Sequence, residues 1–365
     1  MSKETQKKII KALTIVATVY LFLLSIKLLG HSFKLFGGGF AESMIQMTSN
    51  PFAGLIIGIV ATSIIQSSST TTSIVVGLVA GGMLNLETAI PIVMGANIGT
   101  TITNILVSLG HITKRLEFRR AFGASIVHDF FNVGSVIVFF PLEMNFHIIA
   151  KTSSVLESVF EGVGGMKMFN PLKTILNPVI GLIDNIFNNV PFYNIILLVF
   201  SLVLLFLSLT LLIKTIRSLV LDKLEIIINN YLFKNDLLGF TLGILMTAIV
   251  QSSSVTTSLI VPLAGAGVIS LRQVFPYTLG ANIGTTVTAI MAALATQNQV
   301  AITVAFAHLC FNIFGILIFY PLKFIPIRVA EFVADKATRS KKNLVAFVGI
   351  ILMLYFIPMI FIFIN

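Results

Sequence analysis

Residues 66–73 read QSSSTTTS and residues 251–258 read QSSSVTTS. Each is a glutamine followed by a dense run of hydroxyls, set between strongly apolar flanks. Hydroxyls in that setting have three possible uses. They bond back to their own helix or glue one helix to its neighbour. They act as a nucleophile beside a base. Or they mark a helix start, where side-chain oxygens cap free N–H groups and the dipole end is positive. A helix start with adjacent hydroxyls is an anion site. Neither cluster contains Lys or Arg, so an anion held there is held by N–H and O–H groups alone.

The duplication decides among these uses. The two clusters stand 185 residues apart, and the same offset relates GANIGTT at 95–101 to GANIGTT at 280–286. It also relates Gly54, Gly58 and Thr62 to Gly239, Gly243 and Thr247. A second pair, HDFFN at 128–132 and HLCFN at 308–312, follows at an offset of 180, and the difference falls in the loop HITKRLEFRR. The chain therefore reads as two homologous halves, 1–141 and 190–322. Residues 142–189 form an extracellular linker, and 323–365 form a basic cytoplasmic loop with a C-terminal helix. A serine hydrolase drawn from a QSSS serine with His128 and Asp129 needs one asymmetric nucleophile–base pair, which duplicated serines and histidines argue against. A channel would need a continuous polar pore.

An anion at membrane depth without a cation is costly. The neutral oxygens nearby suit sodium, a hard cation. The candidate sodium ligands are Gln66, Thr70, Asn97, Thr100 and Thr101 in one half, and Gln251, Thr256, Asn282, Thr285 and Thr286 in the other. Ser67, Ser68, Ser69, Ser252, Ser253 and Ser254 are the candidate anion ligands. His128 with Asn132, and His308 with Asn312, share a helical face four residues apart and read as structural hydrogen-bonding pairs. His128, Asp129 and His308 leave a proton route open. An acid within a span is expensive, so Asp129 stands out; Leu309 occupies its place in the second half. The bottom-up reading is a sodium-coupled anion carrier.

The elements that must position these residues follow from composition. The chain has 365 residues, 56% hydrophobic and 10% charged, with a mean hydropathy of +1.00. Soluble domains carry about 25% charged residues, so the solvent here is lipid. Apolar runs of spanning length, roughly 20 residues, include Ile9–Leu29, Ala121–Pro141, Tyr193–Ile213, Ala301–Leu322 and Leu344–Ile364. The net charge of +10 sits in short loops, the positive-inside bias of a polytopic membrane protein, and no nucleic-acid signal accompanies it. The single cysteine, Cys310, excludes an internal disulfide, and no cofactor beyond co-transported sodium is called for.

Pro51–Ile65, QSSS and Thr70–Met83 together run about 45 Å at 1.5 Å per residue, too long for one span and too short for two. A re-entrant hairpin with QSSS at its tip fits. Leu86–Leu109 and its counterpart have spanning length but carry two glycines and an asparagine at GANIGTT, which predicts a discontinuous membrane helix in each half. With the N-terminus inside, the basic loops fall inside when the second half is inverted. The expected fold is an all-α polytopic membrane protein with two inverted-topology repeats, a transporter architecture.

QSSSTTTSIVV, AIPIVMGANIGTTITN, FRRAFGASIVHDFFN and the second-half QSSS with PYTLGANIGTT closely resemble the type II sodium/phosphate cotransporters. The resemblance covers both halves. It implies sodium-driven symport of inorganic phosphate by a multi-pass protein of the bacterial cytoplasmic membrane. It also implies that Gln66–Ser69 and Gln251–Ser254 lie at the phosphate and sodium sites. The remaining alternatives are a carrier of a related oxyanion or a phosphate exporter. The expected partners are phosphate, sodium and the lipid bilayer, with a homodimer compatible.

Overall fold

The computed structural model describes residues 3–47, 50–165, 170–187, 190–227, 235–340, 342–347, 349–350 and 353. No strand occurs among the described residues. The chain opens with α1 (Lys3–Lys34) and α2 (Gly38–Met47). A pair of short helices follows, α3 (Pro51–Ile65) and α4 (Ser68–Ala80), then α5 (Leu86–Gly99), α6 (Ile102–Leu109) and α7 (Arg115–Phe146). The linker holds α8 (Ile148–Gly162) and α9 (Asn170–Phe187). The second set is α10 (Tyr193–Ile227), α11 (Asp236–Val250), α12 (Ser253–Gly265), α13 (Leu271–Thr296), α14 (Gln299–Phe319) and α15 (Phe324–Ala337). The C-terminal span expected over Leu344–Ile364 lies largely outside the described residues.

Six segments among the described residues are long and apolar enough to cross a membrane: Ile9–Lys34, Leu86–Leu109, Arg115–Phe146, Tyr193–Thr215, Leu271–Thr296 and Gln299–Phe319. The chain is a polytopic, all-helical membrane protein. In the most apolar window of α5–α6 and of α13, 78% of residues are buried, against 33% in α1 and in α10. The helices carrying GANIGTT are thus the inner ones, and α1 and α10 present their apolar surface outward to lipid. The helices on either side of QSSS have 15 and 13 residues in both halves. At 1.5 Å per residue each is about 20–22 Å long, short of the ~30 Å hydrocarbon layer.

The linker is no open connection. α7 continues through Pro141 to Phe146, α8 packs on α14 and α5, and α9 packs on α1. The buried Glu143 carboxylate accepts from the N–H groups of Ile149 at 2.6 Å and Ala150 at 3.2 Å, satisfying the start of α8.

The expected interruption at GANIGTT is present in the first half, at the two threonines that end the motif, and needs correcting in the second. In the first, α5 is regular through Gly99 and pauses only at Thr100–Thr101 before α6 begins. In the second, α13 runs unbroken through the motif. The glycines serve close approach instead. A Cβ on Gly58 would overlap Ile92 O, and one on Gly95 would overlap Leu55 O. Gly243 against Tyr277 O and Gly280 against Phe240 O repeat this 185 residues on. Gly99 and Gly284 follow, where a Cβ would lie 2.6 Å from Ile59 O and 2.7 Å from Ile244 O. Small residues that let backbones touch are how helices associate in lipid, where no hydrophobic drive separates helix from solvent. The first-half pause coincides with a group the second half lacks: Thr101 Oγ1 donates to Asp129 Oδ1 at 2.8 Å.

Gly95→Ala and Gly280→Ala should each destabilise the purified protein, by about 1–3 kcal/mol for overpacking. Gly181→Ala, in α9 with nothing within 4 Å of its Cβ position, should not. Thermal unfolding in detergent compares the three; equal midpoints would refute the backbone contact.

Candidate functional site

The site is built on two chain reversals with the same backbone. Gln66 ends α3 at φ 58°, ψ 27°, and Gln251 ends α11 at φ 59°, ψ 25°. Both are left-handed, a conformation that costs a non-glycine residue roughly 1–2 kcal/mol and is retained where a site requires it. The next residue turns extended and caps the following helix: Ser67 Oγ accepts from Thr70 N at 3.2 Å, and Ser252 Oγ from Val255 N at 3.3 Å. Each QSSS therefore ends one short helix and starts another, aiming the first N–H groups of α4 and α12 at the reversal.

The hydroxyls then divide into two kinds. Thr70 Oγ1 donates to Ser67 Oγ at 2.9 Å, and Thr256 Oγ1 lies 2.7 Å from Thr247 Oγ1. Thr100, Thr101, Thr285 and Thr286 donate to the carbonyls of Ala96, Ile98, Ala281 and Ile283. Ser69 Oγ and Ser254 Oγ are different. They are equivalent, their residues are 2% and 4% exposed, and neither has a hydrogen-bond partner among the described residues. Thr62 and Ser73 add two more such hydroxyls beside the first reversal. A buried polar group left unpaired costs about 1–3 kcal/mol, so a repeated one asks for a ligand. Ser68 and Ser253 are buried with them.

Around the two GANIGTT asparagines the structure draws six of the expected residues into one buried network. Asn282 Oδ1 faces His128 Nε2 at 2.6 Å, and Asn282 Nδ2 donates to Asn132 Oδ1 at 2.8 Å. Asn97 Oδ1 faces His308 Nε2 at 3.2 Å, and Asn97 Nδ2 donates to Asn312 Oδ1 at 3.3 Å. Each asparagine is thus held by the histidine and asparagine of the other half. Asn132 Nδ2 also reaches Asn97 O at 2.8 Å, and Asn312 Nδ2 reaches His308 O at 3.0 Å. Of the pairing expected within each helix, only the bond from Asn312 to the His308 carbonyl is present; the histidine side chains pair between halves. An amide oxygen only accepts, so each histidine carries its proton on Nε2. Each Nδ1 is then a bare lone pair, and neither has a partner among the described residues. The partner of each histidine Nε2 is an asparagine; among the described residues no serine is bonded to either ring.

The two halves differ at the glutamine. Gln251 is buried, accepts from Thr288 Oγ1 at 2.8 Å and donates to Ala248 O. Gln66 is exposed, and its would-be partner Thr103 has a buried, unpartnered hydroxyl. Sequence reasoning singled out Asp129 without placing it among the candidate ligands; its carboxylate accepts from one of them, Thr101. It missed Asn104, whose Oδ1 accepts from Thr257 Oγ1 of the other half at 3.0 Å. A lone asparagine in an apolar run was the only signal.

Equivalent turns also lie at different ends of α7. The turn holding Asn85, Glu87 and Thr88 lines a cavity with Glu143 and His147, at the end of that helix. The equivalent turn, Gly267 to Leu271, adjoins Arg119 and Arg120 at its start. From Arg120 to Glu143 is about 35 Å of helix.

Fold and site together define an all-helical multi-pass membrane protein with duplicated polar hairpins. A profile of the Na+/Pi-cotransporter family matches residues 21–168 and 203–353, and the chain belongs to that family. It is 35% identical to sodium-dependent phosphate transport protein 2A of Oryctolagus cuniculus, over 93% of this chain and 65% of the relative. It is 32% identical to sodium-dependent phosphate transport protein 2B of Homo sapiens, over 86% of this chain and 59% of the relative. The chain thus spans less than two thirds of the length of these relatives. No solved structure matches.

Ser67→Ala removes a helix cap and should lower stability by about 1 kcal/mol. Ser69→Ala and Ser254→Ala lose no partner and should leave the unfolding midpoint unchanged or raised, measured without phosphate or sodium. A loss at Ser69 as large as that at Ser67 would assign that hydroxyl to packing.

Proposed function

We propose that this chain carries inorganic phosphate across the membrane in symport with sodium. The observation that carries the reading is the pair of equivalent buried hydroxyls, Ser69 and Ser254, unpartnered at the capped starts of α4 and α12. Ser67–Ser69 and Ser252–Ser254, with the first N–H groups of those helices, supply donors to a tetrahedral oxyanion without a fixed cation. Sodium then balances the charge. Its ligands are drawn from the oxygens of Gln66, Thr70, Asn97, Thr100 and Thr101 and of Gln251, Thr256, Asn282, Thr285 and Thr286, with the Asp129 carboxylate beside Thr101. The names of the relatives, sodium-dependent phosphate transport proteins, support both ions.

Carriage proceeds by alternating access between two inverted repeats, 1–141 and 190–322. Support for inversion is that equivalent turns adjoin opposite ends of α7, separated by about the thickness of a bilayer. Arg272 stands at the helix start equivalent to that of Glu87, and the positive-inside rule puts the basic one on the inner side. Support for alternation is that one half has its glutamine locked on Thr288 and a continuous α13, while the other has its glutamine out and a paused α5–α6. Exchanging these two conformations between halves moves access from one side of the site to the other. The setting we infer is the cytoplasmic membrane of a bacterium, with the basic loops inward.

Proteoliposomes test the reading. Labelled phosphate should accumulate when sodium is high outside, and equal uptake in potassium would remove the sodium coupling. Ser69→Ala and Ser254→Ala should each raise the KM for phosphate roughly ten- to a hundredfold, from the ~1.5–3 kcal/mol of a hydrogen bond to a charged ligand. Uptake by both variants at the parental rate under limiting phosphate would return QSSS to packing.

A further inference from the structure

Where the basic loops gather, α7, the α12–α13 turn and α15 enclose a cavity of about 640 Å³. Three guanidinium groups line it: Arg119 and Arg120 from α7, and Arg328 from α15. Arg119 pairs with Asp335 at 3.2 Å, and Asp335 is shared with Arg339 at 3.1 Å. Arg120 and Arg328 meet no carboxylate within ion-pair distance among the described residues. Glu331 is the other acid on the wall. Three arginines thus share the wall with two carboxylates, and two of the guanidinium groups have no carboxylate partner among the described residues.

Arg120 is seated rather than merely nearby. Gly267 takes φ +79°, and a Cβ there would run into Arg120 Nη1, so the missing side chain is the space the guanidinium fills. The equivalent Gly82 turn has the same φ, +80°, with nothing in that space. The cavity on its side is lined by Glu87 and Glu143. The basic cavity is therefore a feature of one half and not of the repeat. Ile269, Leu271 and Phe332 give it apolar walls. The adjoining α15 exposes Phe324, Ile325, Val329 and Phe332. Arg328 lies 5.7 Å over the ring of Phe324, and Lys336 5.4 Å over that of Phe332. Exposed apolar residues among cations are the pattern of a helix lying in the membrane interface.

We propose that this cavity binds a phosphate group through Arg120 and Arg328, presented by an anionic phospholipid headgroup or by free inorganic phosphate. A guanidinium fork matches two phosphate oxygens at once, and basic pockets between membrane helices at the positive-inside end receive phospholipid headgroups. The site shares no residue with the hairpin tips, so it stands apart from the transport reading.

The test reads binding and not transport. The full chain, in phosphatidylcholine nanodiscs and potassium buffer, is compared with the double variant Arg120→Gln, Arg328→Gln. One arm measures phosphatidylglycerol retention by native mass spectrometry; the other titrates inorganic phosphate. Phosphatidylglycerol retention falling tenfold or more in the double variant assigns the lipid source. Phosphate affinity falling likewise assigns the soluble one. Binding at the hairpin tips would persist in both proteins and cancels in the comparison. If the double variant unfolds at a lower temperature, Glu331→Gln, which removes only a negative charge from the wall, replaces it and should tighten the same probe about threefold or more. Parental binding of both probes by the double variant, or no tightening in Glu331→Gln, overturns the proposal.

Discussion

A polar group inside a bilayer has no water to turn to, so it must find its partner within the protein. The rest of this structure depends on how that requirement is met by Asn97 and Asn282. Each stands on the inner helix of its own half, and neither half alone supplies the groups that satisfy it. The histidine and asparagine that do so come from the other half, α7 for Asn282 and α14 for Asn97. Satisfying two amides thereby fixes how the halves assemble. Thr257 on Asn104 adds a further bond of the same kind. The unpartnered hydroxyls of Ser69 and Ser254 carry information because they recur at equivalent positions, each at the start of a capped helix.

The hairpins are held by a different physical device. α3 and α11 are too short to cross the membrane, and they gain their place by backbone contact. Gly58 with Gly95, and Gly243 with Gly280, let each arm lie directly on its inner helix. Contacts between main chains offer few alternative arrangements, so the reversal at QSSS is carried on a rigid platform. The strained left-handed glutamine can persist there because its neighbours are over-determined.

What is free to differ between the halves is smaller than a helix. With the same motif and the same backbone at the reversal, one glutamine is bonded inward and the other faces out. The helix pauses only where Asp129 is present to receive Thr101. A single acid without a counterpart is enough to make two copies of one design unequal, since a carboxylate in a low-dielectric setting draws donors to itself. Charge separates the ends in the same way: arginines surround the Gly267 turn, and glutamates the cavity beside its equivalent.

The sequence by itself determined the class and the duplication. Apolar length, the fixed offset of QSSS and GANIGTT, and the lysines and arginines of the short loops are one-dimensional signals. The helix lengths on either side of QSSS agree with the reversal read from them. What the glycines of GANIGTT do was not legible, because a glycine that weakens a helix and one that admits a neighbouring backbone look alike until the neighbour is known. The same holds for His128 and Asn132. Four-residue spacing puts them on one face, and only the packing of α7 against α13 decided that their partner is Asn282. The inequality of Gln66 and Gln251 is likewise invisible in two identical motifs. It depends on whether a threonine 37 residues further along, Thr103 or Thr288, is within reach, and that distance exists only once the helices are packed.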